Sequence, residues 1–67
     1  MTQDQLRQYV RFCNAPPPGV PPEQRRLAID LVMRHLARQT PARWLPDILY
    51  AHGLPGHARA LDEILAR

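Results

Sequence analysis

Few side chains in this 67-residue chain could carry out catalysis or hold a metal ion. It contains one cysteine, Cys13, no serine, and three histidines, His35, His52 and His57. Cys13 falls on an apolar stripe at helical spacing, where a buried thiol is unreactive. No two histidines are spaced to share one helix face, and there is no second cysteine to complete a ligand pair. We therefore expect solvated or helix-capping histidines and predict no metal site.

The carboxylates are also poorly arranged for acid–base catalysis. Asp62 and Glu63 are adjacent in the sequence, so on a helix their side chains diverge by about 100° and cannot act on one substrate atom. The chain has only three glycines, and they do not form a phosphate-binding loop. We therefore predict a non-enzymatic protein without a cofactor.

Residue types that anchor protein–protein interfaces are more frequent in this chain than residues suited to catalysis or metal binding. Trp, Tyr and Arg side chains contribute much of the binding energy in such interfaces. Trp44 lies between Pro41 and Pro46, where it either closes the small core or stays half exposed for a partner. The predicted partner-binding residues are Leu27, Leu31, Arg34, Arg38, Trp44 and Tyr50.

Eight prolines determine where the helices that carry these residues begin and end. Proline lacks an N–H and is tolerated in the first turn of a helix but not in its interior. The prolines therefore divide the chain into short helices joined by stiff connections. A capping pair, Thr2 and Gln5, marks the first helix. Apolar residues at helical spacing mark the first, second and last helices, and Pro46 and Gly53 delimit the third. The predicted helices cover about residues 3–13, 22–39, 46–52 and 56–66, with a Pro-rich connector at 15–22 and a turn at 41–44.

The longest predicted helix, about residues 22–39, is apolar on two sides. Leu27 and Leu31 fall on a different side from the main stripe, which consists of Ala28, Ile29, Val32, Met33 and Leu36. Such a helix is either central in its bundle or packed against a second chain. We predict an all-α single domain, 1–67, of three to four short helices around this central helix. We also predict a homodimer that buries Leu27 and Leu31 between chains.

Charge and composition restrict the environment of the chain. Nine arginines and six acidic residues give a net charge of +3, and lysine is absent. Arginine in place of lysine, with many Ala, Pro and Leu residues, is typical of GC-rich coding, so we infer a bacterial or phage origin. One cysteine cannot form an internal disulfide, and no apolar run could span a membrane. The first residues lack a basic segment followed by an apolar run, so we expect no signal peptide. These features predict a cytoplasmic protein.

Residues 46–66 suggest an alternative function. A short helix, a glycine turn and a second helix resemble a helix-turn-helix, whose second helix reads the major groove with its N-terminal residues. Those residues would be Gly56, His57 and Arg59, but phosphate would repel the carboxylates of Asp62 and Glu63 that follow. A plain helical hairpin explains the same pattern.

These patterns together favour a small regulator or adaptor that binds another protein. A helix-turn-helix-like DNA-binding regulator is the alternative, and a small-molecule or metal binder is a third class. Affinity for DNA that falls steeply with salt would indicate the alternative.

Overall fold

The computed structural model describes all 67 residues, which form four α-helices and no β-strand. The helices are α1 (Gln3–Asn14), α2 (Arg25–Ala37), α3 (Leu45–Ala51) and α4 (Pro55–Ala66). Two single-turn 3₁₀ helices, Pro22–Gln24 and Ala42–Trp44, lead directly into α2 and α3. The predicted all-α fold of short helices is confirmed, and the second 3₁₀ turn lies where a turn was expected.

Local interactions at both ends define α1. The Thr2 hydroxyl accepts a hydrogen bond from the Gln5 N–H (3.1 Å), and Gln5 Oε1 accepts one from the Thr2 N–H (2.8 Å). This capping box satisfies two N–H groups that a helix start would otherwise leave free. The helix ends at Asn14 because Ala15 precedes a proline and is held outside the helical region, at φ −139° and ψ 67°.

The Pro-rich connector between α1 and α2 packs against the start of α4. The Val20 N–H donates to the Pro17 carbonyl (3.1 Å), which closes a turn in the connector. Val20 then lies against Gly56 in the first turn of α4. A Cβ atom placed on Gly56 would be 2.7 Å from a γ-methyl group of Val20. The absence of a side chain at Gly56 therefore permits this close approach.

α2 is shorter at both ends than the sequence predicts. Its α-helical part begins at Arg25, whose Nε donates to Asn14 Oδ1 (2.7 Å) and so links the start of α2 to the end of α1. At the other end Gln39 adopts a left-handed conformation with φ 61°. The Thr40 N–H donates to the His35 carbonyl (3.0 Å) in the closing turn. This turn ends the helix at Ala37, before the predicted end at 39.

α3 and α4 form a helical hairpin around a glycine turn. Pro46 stands in the first turn of α3, where its missing N–H removes no helical hydrogen bond. Gly53 ends α3 with φ 75°, a conformation that glycine adopts without steric cost, and the Leu54 N–H donates to the Leu49 carbonyl (3.0 Å). Pro55 then opens α4. These stop and start positions are those that the prolines and Gly53 predict.

Each helix packs against its neighbour in the chain, and α4 closes the arrangement by packing against α1. The contact between α3 and α4 is the most extensive, followed by that between α1 and α4. The shared core consists of Tyr9, Cys13, Ala28, Leu31, Val32, Leu45, Leu49, Leu54, Ala58, Leu61 and Ile64. None of the helices has the length and apolar character that crossing a bilayer requires.

The contact between Val20 and Gly56 provides a test of the packing of the connector. Gly56→Ala gains up to about 1 kcal/mol in helix propensity but forces a methyl group against Val20, and overpacking costs about 1–3 kcal/mol. The substitution should therefore be more favourable in a Val20→Ala background than in the unmodified chain, by about 1 kcal/mol. Urea unfolding of the four chains in this double-mutant cycle measures the difference. Additive effects would show that the connector does not pack on α4.

Candidate protein-binding surface

Trp44, Asp47 and Tyr50 form an exposed strip along the second 3₁₀ turn and α3. Their spacing of three residues places each side chain beside the next on the helix surface. Trp44 is 52% exposed, Tyr50 is 61% exposed, and Asp47 between them is exposed as well. None of the three side chains makes a hydrogen bond within the chain. This aromatic strip therefore presents two large rings and a free carboxylate to solvent.

Three other predicted partner-binding residues, Leu27, Arg34 and Arg38, lie on the exposed side of α2. Leu27 is 44% exposed. The Arg34 guanidinium forms a salt bridge with Asp30, one helical turn earlier. Because both side chains are exposed, the pair adds little stability. No side-chain hydrogen bond or ring contact joins these residues to the aromatic strip. The predicted residues are thus divided between two helices.

Leu31 is not available to a partner. It is 4% exposed and belongs to the core together with Ala28 and Val32. The prediction that Leu31 lies outside the core-facing stripe is wrong, because α2 packs against both α1 and α3 and its buried side is shifted accordingly. Met33, which was assigned to the core-facing stripe, is half exposed. Self-association through α2 stays a prediction, with Leu27 as the exposed member of the pair.

The different burial of the two leucines gives a stability test. Leu31→Ala should lower the free energy of unfolding by about 2–5 kcal/mol, because it leaves a cavity in the core. Leu27→Ala, the matched control, should change it by less than about 1 kcal/mol. Chemical denaturation measures both values, and Leu31→Val supplies a smaller loss if Leu31→Ala does not fold. Similar small losses at both positions would contradict the assignment of Leu31 to the core.

The structure brings together one pair of residue types with chemical potential, Cys13 and His57. The Cys13 Sγ atom lies 3.7 Å from His57 Nδ1, and each residue is 1% exposed. The rings of Tyr9 and Phe12 meet the imidazole edge to face, with centroids 6.2 and 5.3 Å away. The Tyr9 hydroxyl donates to the carbonyl of Ala28 (3.3 Å). The pair therefore lies inside the contact between α1 and α4.

Burial determines the charge state of this pair. It raises the pKa of the Cys13 thiol, although the Tyr9 hydroxyl and the Arg25 charge partly oppose the shift. It lowers the pKa of the His57 imidazole. Both groups are therefore neutral near pH 7. A nucleophilic cysteine needs the thiolate form and access to a substrate, whereas this pair packs as a neutral core contact.

The remaining histidines lie at helix ends. His52 Nδ1 is 2.9 Å from the Ile48 carbonyl at the end of α3, and His35 Nδ1 is 3.3 Å from the Thr40 hydroxyl beyond the end of α2. The His52 contact is with a backbone carbonyl at the helix end, which is the helix-capping arrangement, whereas the His35 contact joins two side chains. No group of three or more His, Cys, Asp or Glu side chains lies close enough together to hold a metal ion.

Two features of α4 weaken the helix-turn-helix alternative. A helix that reads the major groove needs exposed side chains in its first turns. His57 is buried, and Val20 of the connector lies against Gly56. Of the three residues proposed to contact bases, only Arg59 presents an exposed polar side chain.

Comparison with known proteins identifies no relative of this chain. The chain matches no protein family, no curated protein and no solved structure. Its function therefore has to be inferred from its own residues and geometry.

His57 is buried, whereas a solvated or helix-capping histidine was expected. Its spacing in the sequence nevertheless indicates the buried position. His57 precedes Leu61 by four residues and Ile64 by seven, so it continues the apolar stripe of α4. That spacing is the signal that identifies its buried position. The contact with Cys13 has no such signal, because it joins residues 44 positions apart.

The lowered pKa of His57 predicts that stability depends on pH. Since the folded chain disfavours the imidazolium, the unfolded chain binds the proton more readily below its ordinary pKa of about 6.5. The free energy of unfolding should therefore fall as the pH decreases from 7 to 5, by at most about 1.4 kcal/mol per pH unit. Urea unfolding at several pH values measures the slope.

A matched pair of variants identifies the source of this slope. His57→Gln should flatten it, whereas His52→Gln, at an exposed histidine, should leave it unchanged. A slope that persists in His57→Gln would show that another group carries the pH dependence.

Proposed function

We propose that this chain is a non-enzymatic helical regulator or adaptor that binds another protein through the aromatic strip of Trp44, Asp47 and Tyr50. The observation that carries the proposal is the exposure of the only tryptophan and, six residues later, of a tyrosine. Trp and Tyr are the side chains most often found at the energetic centre of protein interfaces.

The energy available from these rings is substantial. Covering the exposed half of a tryptophan, on the order of 100 Å², stabilises a complex by about 2–3 kcal/mol at roughly 25 cal/mol per Å². Trp44 needs little ordering when it binds, because a ring with two rotatable bonds loses little conformational entropy. The strip can therefore supply the central contacts of an interface.

The chemistry of the strip indicates what a partner should present. Asp47 lies between the two rings and has no ion-pair partner in the chain. A lysine or arginine at this place would pair with the carboxylate and lie within reach of an aromatic face. We therefore expect a partner surface with a cation flanked by apolar side chains.

The strip must be the centre of a larger contact. A typical specific interface covers roughly 800 Å² on each partner. The accessible surface of the chain is 4569 Å², so such an interface would occupy about one sixth of it. Surface around the strip on the second 3₁₀ turn and α3 would supply the remaining contacts.

The proposal keeps the cytoplasmic location, the bacterial or phage origin and the homodimer predicted from the sequence. A single buried cysteine suits a reducing compartment. A homodimer would place Leu27 of two copies in contact and leave the aromatic strip for a different partner.

Differential capture tests the proposed surface. The unmodified chain and its Trp44→Ala and Tyr50→Ala variants would be immobilised and exposed to an extract of the organism that encodes the chain. A partner that uses the strip should be retained by the unmodified chain and lost from both variants, because truncation of a central aromatic residue costs about 2 kcal/mol or more, roughly 30-fold in affinity.

Met33→Ala is the matched control, since Met33 is a half-exposed apolar residue on α2. It should retain the partner. Because Trp44 is the only tryptophan, its emission should also shift to shorter wavelength when the purified partner is added. Equal retention by all variants, or no emission change on binding, would refute the role of the strip. Retention of duplex DNA in place of a protein would favour the DNA-binding alternative.

A further inference from the structure

A second surface, on different helices from the aromatic strip, has the form of a binding groove. It lies between α1 and α4 and is an open depression with a volume of about 660 Å³. Its apolar lining consists of Phe12, Ala15, Ala60 and Ile64, of which Ile64 belongs to the core and is only 5% exposed. Ala60 and Ile64 are one helical turn apart, so they repeat at the spacing with which apolar residues recur on an amphipathic helix.

Arginines border this groove and continue beyond it. Arg7 and Arg11 stand one turn apart on α1, and Arg59 borders the adjoining hollow, which shares Phe12 and Ala60 with the groove. All three arginines are exposed, and none forms a salt bridge or side-chain hydrogen bond within the chain. We call this surface, with its apolar lining, the arginine groove.

The other charged groups of the groove are largely engaged. Gln8 Nε2 donates to Asp4 Oδ2 (2.8 Å), and Arg67 Nη1 donates to Gln8 Oε1 (2.7 Å), so one network holds Asp4 and Arg67. Glu63 is the one carboxylate of the groove without a partner in the chain. Gln8 is neutral, so Asp4 and Arg67 keep their charges. Four arginines and two carboxylates therefore border the groove and its adjoining hollow, and the excess of two positive charges attracts negative charge.

We propose that the arginine groove binds an acidic amphipathic helix of a partner protein. The apolar side chains of that helix would lie on Phe12, Ala15 and Ala60, and its carboxylates would meet Arg7 and Arg11. Arginine forms paired hydrogen bonds with carboxylates, which gives such contacts direction as well as charge. Docking of a helix in an apolar groove is a common mode of protein recognition.

The groove suits a protein segment better than a nucleic acid. A phosphate backbone would gain from the arginines but would leave the apolar lining unused. An acidic helix uses both the charge and the apolar surface. The groove does not overlap the aromatic strip, so the proposal stands independently of the proposed function. If both surfaces bind, the chain could connect two proteins.

A labelled peptide tests the groove directly. The probe is an 18-residue helical peptide with leucines at i,i+4 spacing and glutamates on both flanks, followed by fluorescence anisotropy near 0.15 M salt. Arg7→Gln/Arg11→Gln should weaken its binding about tenfold, the equivalent of 1.4 kcal/mol for two lost charge-assisted contacts. The control Arg26→Gln/Arg38→Gln has the same net charge and alters exposed arginines outside the groove, so it should change binding less than about twofold.

Two further probes separate the contributions. A peptide of the same composition with scattered leucines should bind several-fold more weakly, because it cannot use the apolar lining. Ala60→Glu, which places a carboxylate on that lining, should also weaken binding, with circular dichroism confirming that the helices are retained. Trp44→Ala should leave peptide binding unchanged, which distinguishes failure of the groove from failure of the strip.

Several results would overturn the proposal. Absence of peptide binding would do so, as would equal losses in the two arginine pairs, which would indicate general charge attraction. Tighter binding of a 20-base-pair duplex than of the peptide, lost in Arg7→Gln/Arg11→Gln, would assign the groove to nucleic acid instead.

Discussion

The docking of α4 against α1 is the contact on which the rest of the structure depends. α4 contributes four buried side chains to the core. Three other segments pack against it: α1 at the contact between Cys13 and His57, the Pro-rich connector where Val20 meets Gly56, and α3 in the helical hairpin. The same contact forms the walls of the arginine groove. If α4 did not dock, α1 would lose much of its buried surface and the groove would not exist.

This contact contains an unusual core residue for so small a chain. The Nε2 atom of His57 is buried without a hydrogen-bond partner, which costs about 1–3 kcal/mol where total stability is only a few kcal/mol. Edge-to-face contacts with Phe12 and Tyr9, each worth about 0.5–1.5 kcal/mol, offset part of that cost. The core therefore tolerates the neutral imidazole but not its charged form, so the α1–α4 contact is sensitive to acid.

The parts of the fold that the sequence predicts are those governed by local chemistry. The capping box of Thr2 and Gln5, the proline starts and the Gly53 stop lie within a few residues of the helix ends that they define. Burial of Leu31 and exposure of Met33 depend instead on where α1 and α3 lie around α2, and an ideal helical projection contains no such information.

For the candidate surface, the residue types directed attention to Trp44 and Tyr50, but only the structure shows that both are exposed and that Leu31 is not. The arginine groove could not be predicted, because it joins residues near opposite ends of the chain.

The exposure of Trp44 follows from the way in which α3 begins. Pro46 in the first turn fixes the start of the helix, and Leu45 and Leu49 occupy its core-facing positions. Trp44 precedes Leu45 by one residue, so it points about 100° away from the core. Rotating α3 enough to bury the whole ring would expose Leu45, so leucine completes the core and about half of the tryptophan stays in solvent. An exposed tryptophan also favours non-specific association. The exposed half of Trp44 carries this disadvantage without adding to the core, and the proposed contact with a partner would remove it.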